Sequence, residues 1–176
     1  VMPVLSPPTG FTIASQAENL VRLQWQDNSF NEGDFNIISS TGGGYVVLQR
    51  VAGSGGDFNE LGVVSANVER VDNVHTIPGR SMEWRVKARH RNGTTNVDSA
   101  VSNTVTFTPP FHAPTGMVAV LNGSTSVNVT WKDNSSVESG YVVEGRVSGS
   151  GSFTELSRFP ANTQAGTVTV APGDTT

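Results

Sequence analysis

Apolar and polar residues alternate with a period of two over several short stretches of the chain. Val21, Leu23 and Trp25 interleave with Arg22, Gln24 and Gln26, Val127, Val129 and Trp131 interleave with Asn128 and Thr130, and Trp84, Val86 and Ala88 interleave with Arg85, Lys87 and Arg89. This spacing predicts β-strands that bury one face. Clusters such as Ala52-Gly-Ser-Gly-Gly56 and Arg91-Asn-Gly93 punctuate them and predict turns. No useful window carries the helical period. Gly, Ser, Thr, Asn and Val are abundant while Leu, Lys and Glu are sparse, so the expected class is all-β.

One of these strands is spelled twice. WQDNSFNEG begins at Trp25 and WKDNSSVES at Trp131, an offset of 106 (131 minus 25). At this offset Pro8-Thr9-Gly10 meets Pro114-Thr115-Gly116 and Glu32 meets Glu138. The offset falls to 96 at Tyr45-Val46-Val47 against Tyr141-Val142-Val143, to 95 at Glu60-Leu61 against Glu155-Leu156, and to 94 at Pro78-Gly79 against Pro172-Gly173. Duplication accounts for the pattern, with residues 35–44 inserted in the first copy.

Each copy resembles a fibronectin type III domain of the kind found in bacterial and phage surface proteins. The shared features are Pro-Pro-Thr-Gly before the first strand, tryptophan on the second, Asp-Asn-Ser with a following glutamate, Tyr-Val-Val, and Pro-Gly ahead of Trp84-Arg85-Val86-Lys87-Ala88. The resemblance implies an immunoglobulin-like β-sandwich in which Trp25, Trp84 and Trp131 plug the cores. Residues 7–110 form a complete copy. Residues 111–176 form a copy without its last two strands, F and G, which should not fold alone. Residues 1–6 are expected to be the tail of a preceding domain. The chain thus reads as a window onto a longer protein, the rival being that a neighbouring subunit donates the two strands. Met82 stands where the family carries a tyrosine whose hydroxyl bonds back to the preceding loop.

Charge narrows the function. Residues 1–110 hold 8 basic and 10 acidic side chains and residues 111–176 hold 3 and 5, so neither half has the basic excess that nucleic-acid binding requires. No apolar run reaches the ~18 residues of a membrane span. Zero cysteines remove disulfides and thiolate chemistry. His75, His90 and His112 lack metal-ligand spacing, and calcium at Asp27 or Asp133 would need further oxygen ligands. The glycine clusters lack the Lys-Ser/Thr ending of a phosphate loop, and no nucleophile elbow occurs. No catalytic, cofactor or metal residues are expected.

Two surfaces remain as candidates. Phe35, Ile37 and Ile38 of the insertion, with Val46 and Leu48 predicted to point outward, would form an apolar flap or a subunit contact. Arg85, Lys87, Arg89 and Arg91 would line one strand face, either as an anionic-ligand stripe or as a solvated outer face. The resemblance implies a non-catalytic spacer and protein–protein interaction unit of a virion-surface, filament or cell-envelope protein, lying outside the cell. Its partners would be other subunits of an assembly, with host-surface glycan as a further candidate. The alternative is an accessory region of a secreted polysaccharide-degrading enzyme.

Overall fold

The computed structural model describes residues 4–34, 43–149 and 151–171, and every regular element among them is a β-strand. The chain divides into two compact units, Val1–Pro110 and Phe111–Thr176.

The first unit contains β1 (Thr9–Gln16), β2 (Leu20–Gln26), β3 (Gly33–Asp34), β4 (Gly44–Val51), β5 (Asn59–Val64), β6 (Arg70–His75), β7 (Met82–Asn92), β8 (Thr95–Asp98) and β9 (Val105–Phe107). One sheet runs β1-β2-β6; the other runs β3-β7-β4-β5, with β8 and β9 also paired to β7. Between β8 and β9 two serines replace the ladder. Val86 and Ala88 donate their backbone N–H groups to the hydroxyls of Ser102 and Ser99, both at 3.0 Å. Regular pairing of this segment with β7 begins only at Val105.

The two sheets bury their facing side chains against each other. Val21, Leu23 and Trp25 from β2 meet Tyr45 and Val47 from β4 and Met82, Trp84, Val86 and Ala88 from β7. The Trp25 ring lies 5.4 Å from Tyr45 and 6.3 Å from Phe11. Each buried indole contributes several kcal/mol, at ~25 cal/mol per Å² over about 150–250 Å². Leu5 is buried in the same core, and the Ser6 carbonyl accepts a hydrogen bond from Ser29. Leu5 and Ser6, expected as the tail of a preceding domain, are thus packed into this unit.

The second unit contains β10 (Thr115–Leu121), β11 (Ser126–Lys132), β12 (Gly140–Gly145), β13 (Thr154–Pro160) and β14 (Ala165–Thr169), as sheets β10-β11-β14 and β12-β13. Its core gathers Val127, Val129, Trp131, Tyr141, Val143 and Val168. The pairing of β11 with β14 mirrors that of β2 with β6. Val127 faces Val168 and Val129 faces Gly166, as Val21 faces Val74 and Leu23 faces Val71. The offset is 95 at Val71/Gly166 and 94 at Val74/Val168 because β6 carries one extra residue in a bulge, where Asn73 has a φ of 56°.

The repeated Asp-Asn-Ser and glutamate ties each unit to itself. Asn28 donates to the Pro7 carbonyl and the Thr9 hydroxyl, at 3.0 and 2.9 Å, as Asn134 does to Ala113 and Thr115, at 2.9 Å each. Asp27 and Asp133 accept the N–H of the serine two residues on, closing an Asx turn. Glu32 and Glu138 accept the N–H of Asn67 and Asn162, which hold left-handed conformations at φ 57° and 59°. The motif therefore locks the second strand to the first strand and to a distant turn. Asn28→Ala and Asn134→Ala should each cost about 1–2 kcal/mol in urea unfolding, because two bonds are lost at each site.

Gly44 and Gly140 precede the repeated Tyr-Val-Val for a related reason. Their φ angles are 132° and 149°, and an added Cβ would lie 2.0 Å from the Val64 carbonyl oxygen and 2.5 Å from that of Phe159. Only glycine fits.

Candidate interaction surfaces

The outer face of the first unit is built by β5, β4, β7 and β8. Val46 and Leu48 leave the interior cluster, as alternation predicts, yet they are buried rather than exposed. In register, Val46 sits between Lys87 and Val63, and Leu48 between Arg85 and Glu60. Long aliphatic stems beside an apolar side chain cover it while their charges reach water. Buried in this way, Val46 and Leu48 do not offer the exposed subunit contact that was one of the two expected readings. Phe35, Ile37 and Ile38 lie outside the described residues.

The basic side chains are held by specific neighbours. Arg89 is 7% exposed and forks onto two carboxylates, donating to Glu60 at 2.6 and 3.1 Å and to Asp98 at 2.6 and 2.9 Å. Lys87 pairs with Asp98 at 2.6 Å. Hydrogen bonds from Arg89 hold both carboxyls below the usual range, and the two carboxylates raise the guanidinium in turn. Arg85 donates to the Thr104 hydroxyl at 2.7 Å, and its guanidinium lies 4.4 Å from the Phe58 ring centre. Arg50 lies at the same distance from that ring. Arg91 donates to the Gly93 carbonyl at 2.9 Å. The arrangement spends the positive charge of Lys87 and Arg89 inside the protein, so an anionic ligand would have to displace Glu60 and Asp98.

A second group of charges lies at the end of the first core. Tyr45 donates its hydroxyl to Asp27, and beside them Glu32 Oε2 is buried with no hydrogen-bond partner. Burial raises the Glu32 pKa, and the Asp27 charge raises it further. Burial and the bond to Asp27 push the Tyr45 phenol well above its ordinary range. A carboxyl with a raised folded pKa destabilises the fold when ionised, and the penalty fades as pH falls through that value. Glu32→Gln keeps an oxygen for the Asn67 N–H and removes the charge. It should raise stability by about 1 kcal/mol at pH 7, measured by thermal melts, with a smaller gain at pH 4. Among the described residues no three acidic or histidine side chains converge on a metal position.

The second unit presents a different surface. Phe11 on β1 is 3% exposed, whereas Met117, its equivalent on β10, is 57% exposed. Val118, Val120 and Leu121 on the same strand are exposed too. In the first unit β4 is paired on both sides, by β5 and β7; β12 is paired with β13 alone among the described strands. Along its other edge runs a 160 Å³ cleft whose lining includes Pro114, Met117, Trp131, Tyr141 and Val143. Alternation identified the core positions of this unit but did not mark the cleft, which exists because no described strand covers them.

The three tryptophans predicted as plugs are buried, Trp84 completely. Tyr45 and Tyr141 are buried as well, so neither residue type supplies an exposed aromatic platform for a sugar.

No family model matches the chain, and no curated protein matches it. Solved structures do. A two-domain fibronectin type III segment of chicken tenascin aligns over 96% of this chain and 86% of its own length, with 14% identity and a TM-score of 0.50. The FN1–FN3 domains of chicken CNTN1 align over 97% of this chain and 59% of their own length, with 14% identity and a TM-score of 0.44. The tenascin likeness bears on fold alone. With the paired sheets and buried cores described above, it identifies an all-β, immunoglobulin-like sandwich of the fibronectin type III kind.

Proposed function

We propose that the chain is a non-catalytic spacer and protein–protein interaction module of a larger virion-surface, filament or cell-envelope protein. The observation that carries this reading is the pair of sandwiches of the fibronectin type III kind. In the first, the charged side chains of the outer sheet are consumed by partners within the fold.

A spacer role draws on the join between the units. Gly79 donates to the Pro109 carbonyl at 2.8 Å and Asn134 to the Ala113 carbonyl at 2.9 Å. Pro110, Phe111 and His112 lie between these tethers, and proline restricts the backbone there. An extracellular or virion-surface location belongs to the same proposal.

Cross-linking of the native assembly through Lys132, which is exposed on β11, tests the proposal. Cross-links to structural subunits are expected. Cross-links confined to a polysaccharide-hydrolase domain would overturn it in favour of an enzyme accessory region.

A further inference from the structure

We propose that Asp27 and Glu32 form a proton-operated latch. A proton held on the Glu32 carboxyl and donated to Asp27 keeps the turn between β5 and β6 fastened to the first unit, and its loss releases that turn.

The turn, residues 65–69, has little apolar burial to hold it. Only Ala66 is partly buried; the other four residues are exposed. Its ties are polar. Val68 donates to the Ser65 carbonyl at 3.3 Å, and the N–H groups of Trp25 and Asp27 donate to the carbonyl and the carboxylate of Glu69 at 2.9 and 2.8 Å. Asn67, held at a φ of 57°, donates its N–H to Glu32 at 3.3 Å. A segment fastened in this way opens more readily than the core beneath it.

Glu32 is 8% exposed, and among the described residues no donor reaches its Oε2. What adjoins it is a second carboxyl. Asp27 accepts from the Ser29 N–H and the Tyr45 hydroxyl, and it acts on Glu32 both as a charge and as a hydrogen-bond partner. Two ionised carboxylates offer each other only acceptors. One proton changes this, because Glu32 Oε2 then donates to Asp27 while Oε1 continues to accept from Asn67. Without the proton, two like charges share a site poor in water. The Glu32 carboxylate then gains by turning to solvent, and Asn67 loses its partner.

The other titratable groups around the pair add to the repulsion or are directed elsewhere. Glu69 is a third carboxylate, and the Tyr45 hydroxyl is given to Asp27. On β7, which runs beside β3, His90 donates from Nδ1 to the Asn31 carbonyl at 2.6 Å and Arg91 donates to the Gly93 carbonyl. The second unit keeps the tie with less crowding. Glu138 also has an Oε2 without a hydrogen-bond partner and accepts from Asn162 at 2.8 Å, but it is only partly buried. Gln164 stands there in place of Glu69, its carbonyl accepting from Trp131 as that of Glu69 does from Trp25.

Burial and the Asp27 charge hold the folded Glu32 carboxyl above its ordinary value. The latch is therefore complete below the ordinary carboxylate range and is lost as pH rises through the folded value. Glu60 and Asp98, held below their ordinary values, act on overall stability in the opposite sense, so the readout must be local.

NMR of the whole chain from pH 4 to pH 8 follows the Glu32 side-chain carboxyl carbon and the Asn67 amide together. Both should move with one midpoint above the ordinary carboxylate value. Solvent exchange at Asn67, divided by the intrinsic rate at each pH, should quicken about fivefold across it, as the loss of one hydrogen bond implies. Glu32→Gln should abolish the Asn67 response and Glu138→Gln should leave it intact. Asp27→Asn, which keeps an oxygen for the Asx turn, should lower the midpoint. An Asn67 amide indifferent to pH, a response that survives Glu32→Gln, or a midpoint unmoved by Asp27→Asn would overturn the proposal. So would a response that calcium chloride suppresses and EDTA restores, because a cation and not a proton would then occupy the pair.

Discussion

Trp84→Ala lowers the stability of the first unit by about 3–5 kcal/mol. The indole is 0% exposed at the centre of β7, with Gln49 opposite it on β4 and Val105 on β9. Removing it deletes the transfer free energy of the ring and leaves a void between two sheets held by their own ladders, which cannot fully collapse. A small domain has only about 5–15 kcal/mol in total, so most of the margin disappears. Urea denaturation followed by the near-ultraviolet signal of the remaining tryptophans checks the expectation. Phe30→Ala is the matched control: that ring is 98% exposed, and its loss should change stability by less than about 0.5 kcal/mol.

Arg89→Met costs about 2–3 kcal/mol at pH 7, through a different mechanism. Methionine approximates the stem but leaves Glu60 and Asp98 without the cation that bridges them. The cost stays at the lower end because Glu60 is half exposed and can turn to water, and Lys87 still reaches Asp98. Adding Glu60→Gln and Asp98→Asn to the same chain should recover most of the loss. The pH dependence follows from the sign of the shifts. Both carboxyls are held below their ordinary values, so their contribution is complete above the ordinary carboxylate range and disappears as pH falls through the folded values. The difference in melting temperature between the parent chain and Arg89→Met should therefore shrink from pH 7 to pH 3. A difference that is constant over this range would show that the network is not its source.

The parts of the fold that could be read from the chain are those governed by a local period. Val21, Leu23 and Trp25 alternate, and the copy at Val127, Val129 and Trp131 alternates identically, so the buried faces followed directly. Register is a different matter, because alternation selects a face without selecting the residue across the ladder. The partners of Arg89 lie on β5 and β8, and Glu32 caps a turn 35 residues away. Nothing in the spacing of charges announces either. Val46 and Leu48 are a related case. Alternation placed them on the outer face, but only register shows which residues flank them there, Lys87 and Val63 beside Val46 and Arg85 and Glu60 beside Leu48. The one-residue fall from 95 to 94 was visible as an offset, and only the ladder shows it to be a bulge at Asn73.

Residue-resolved amide exchange on the chain tests the central claim of two like interiors most directly. Protection is predicted for Val21 and Leu23, for their equivalents Val127 and Val129, and for β4 along both edges. Rapid exchange at Val21 and Leu23, or at Val127 and Val129, would contradict the account.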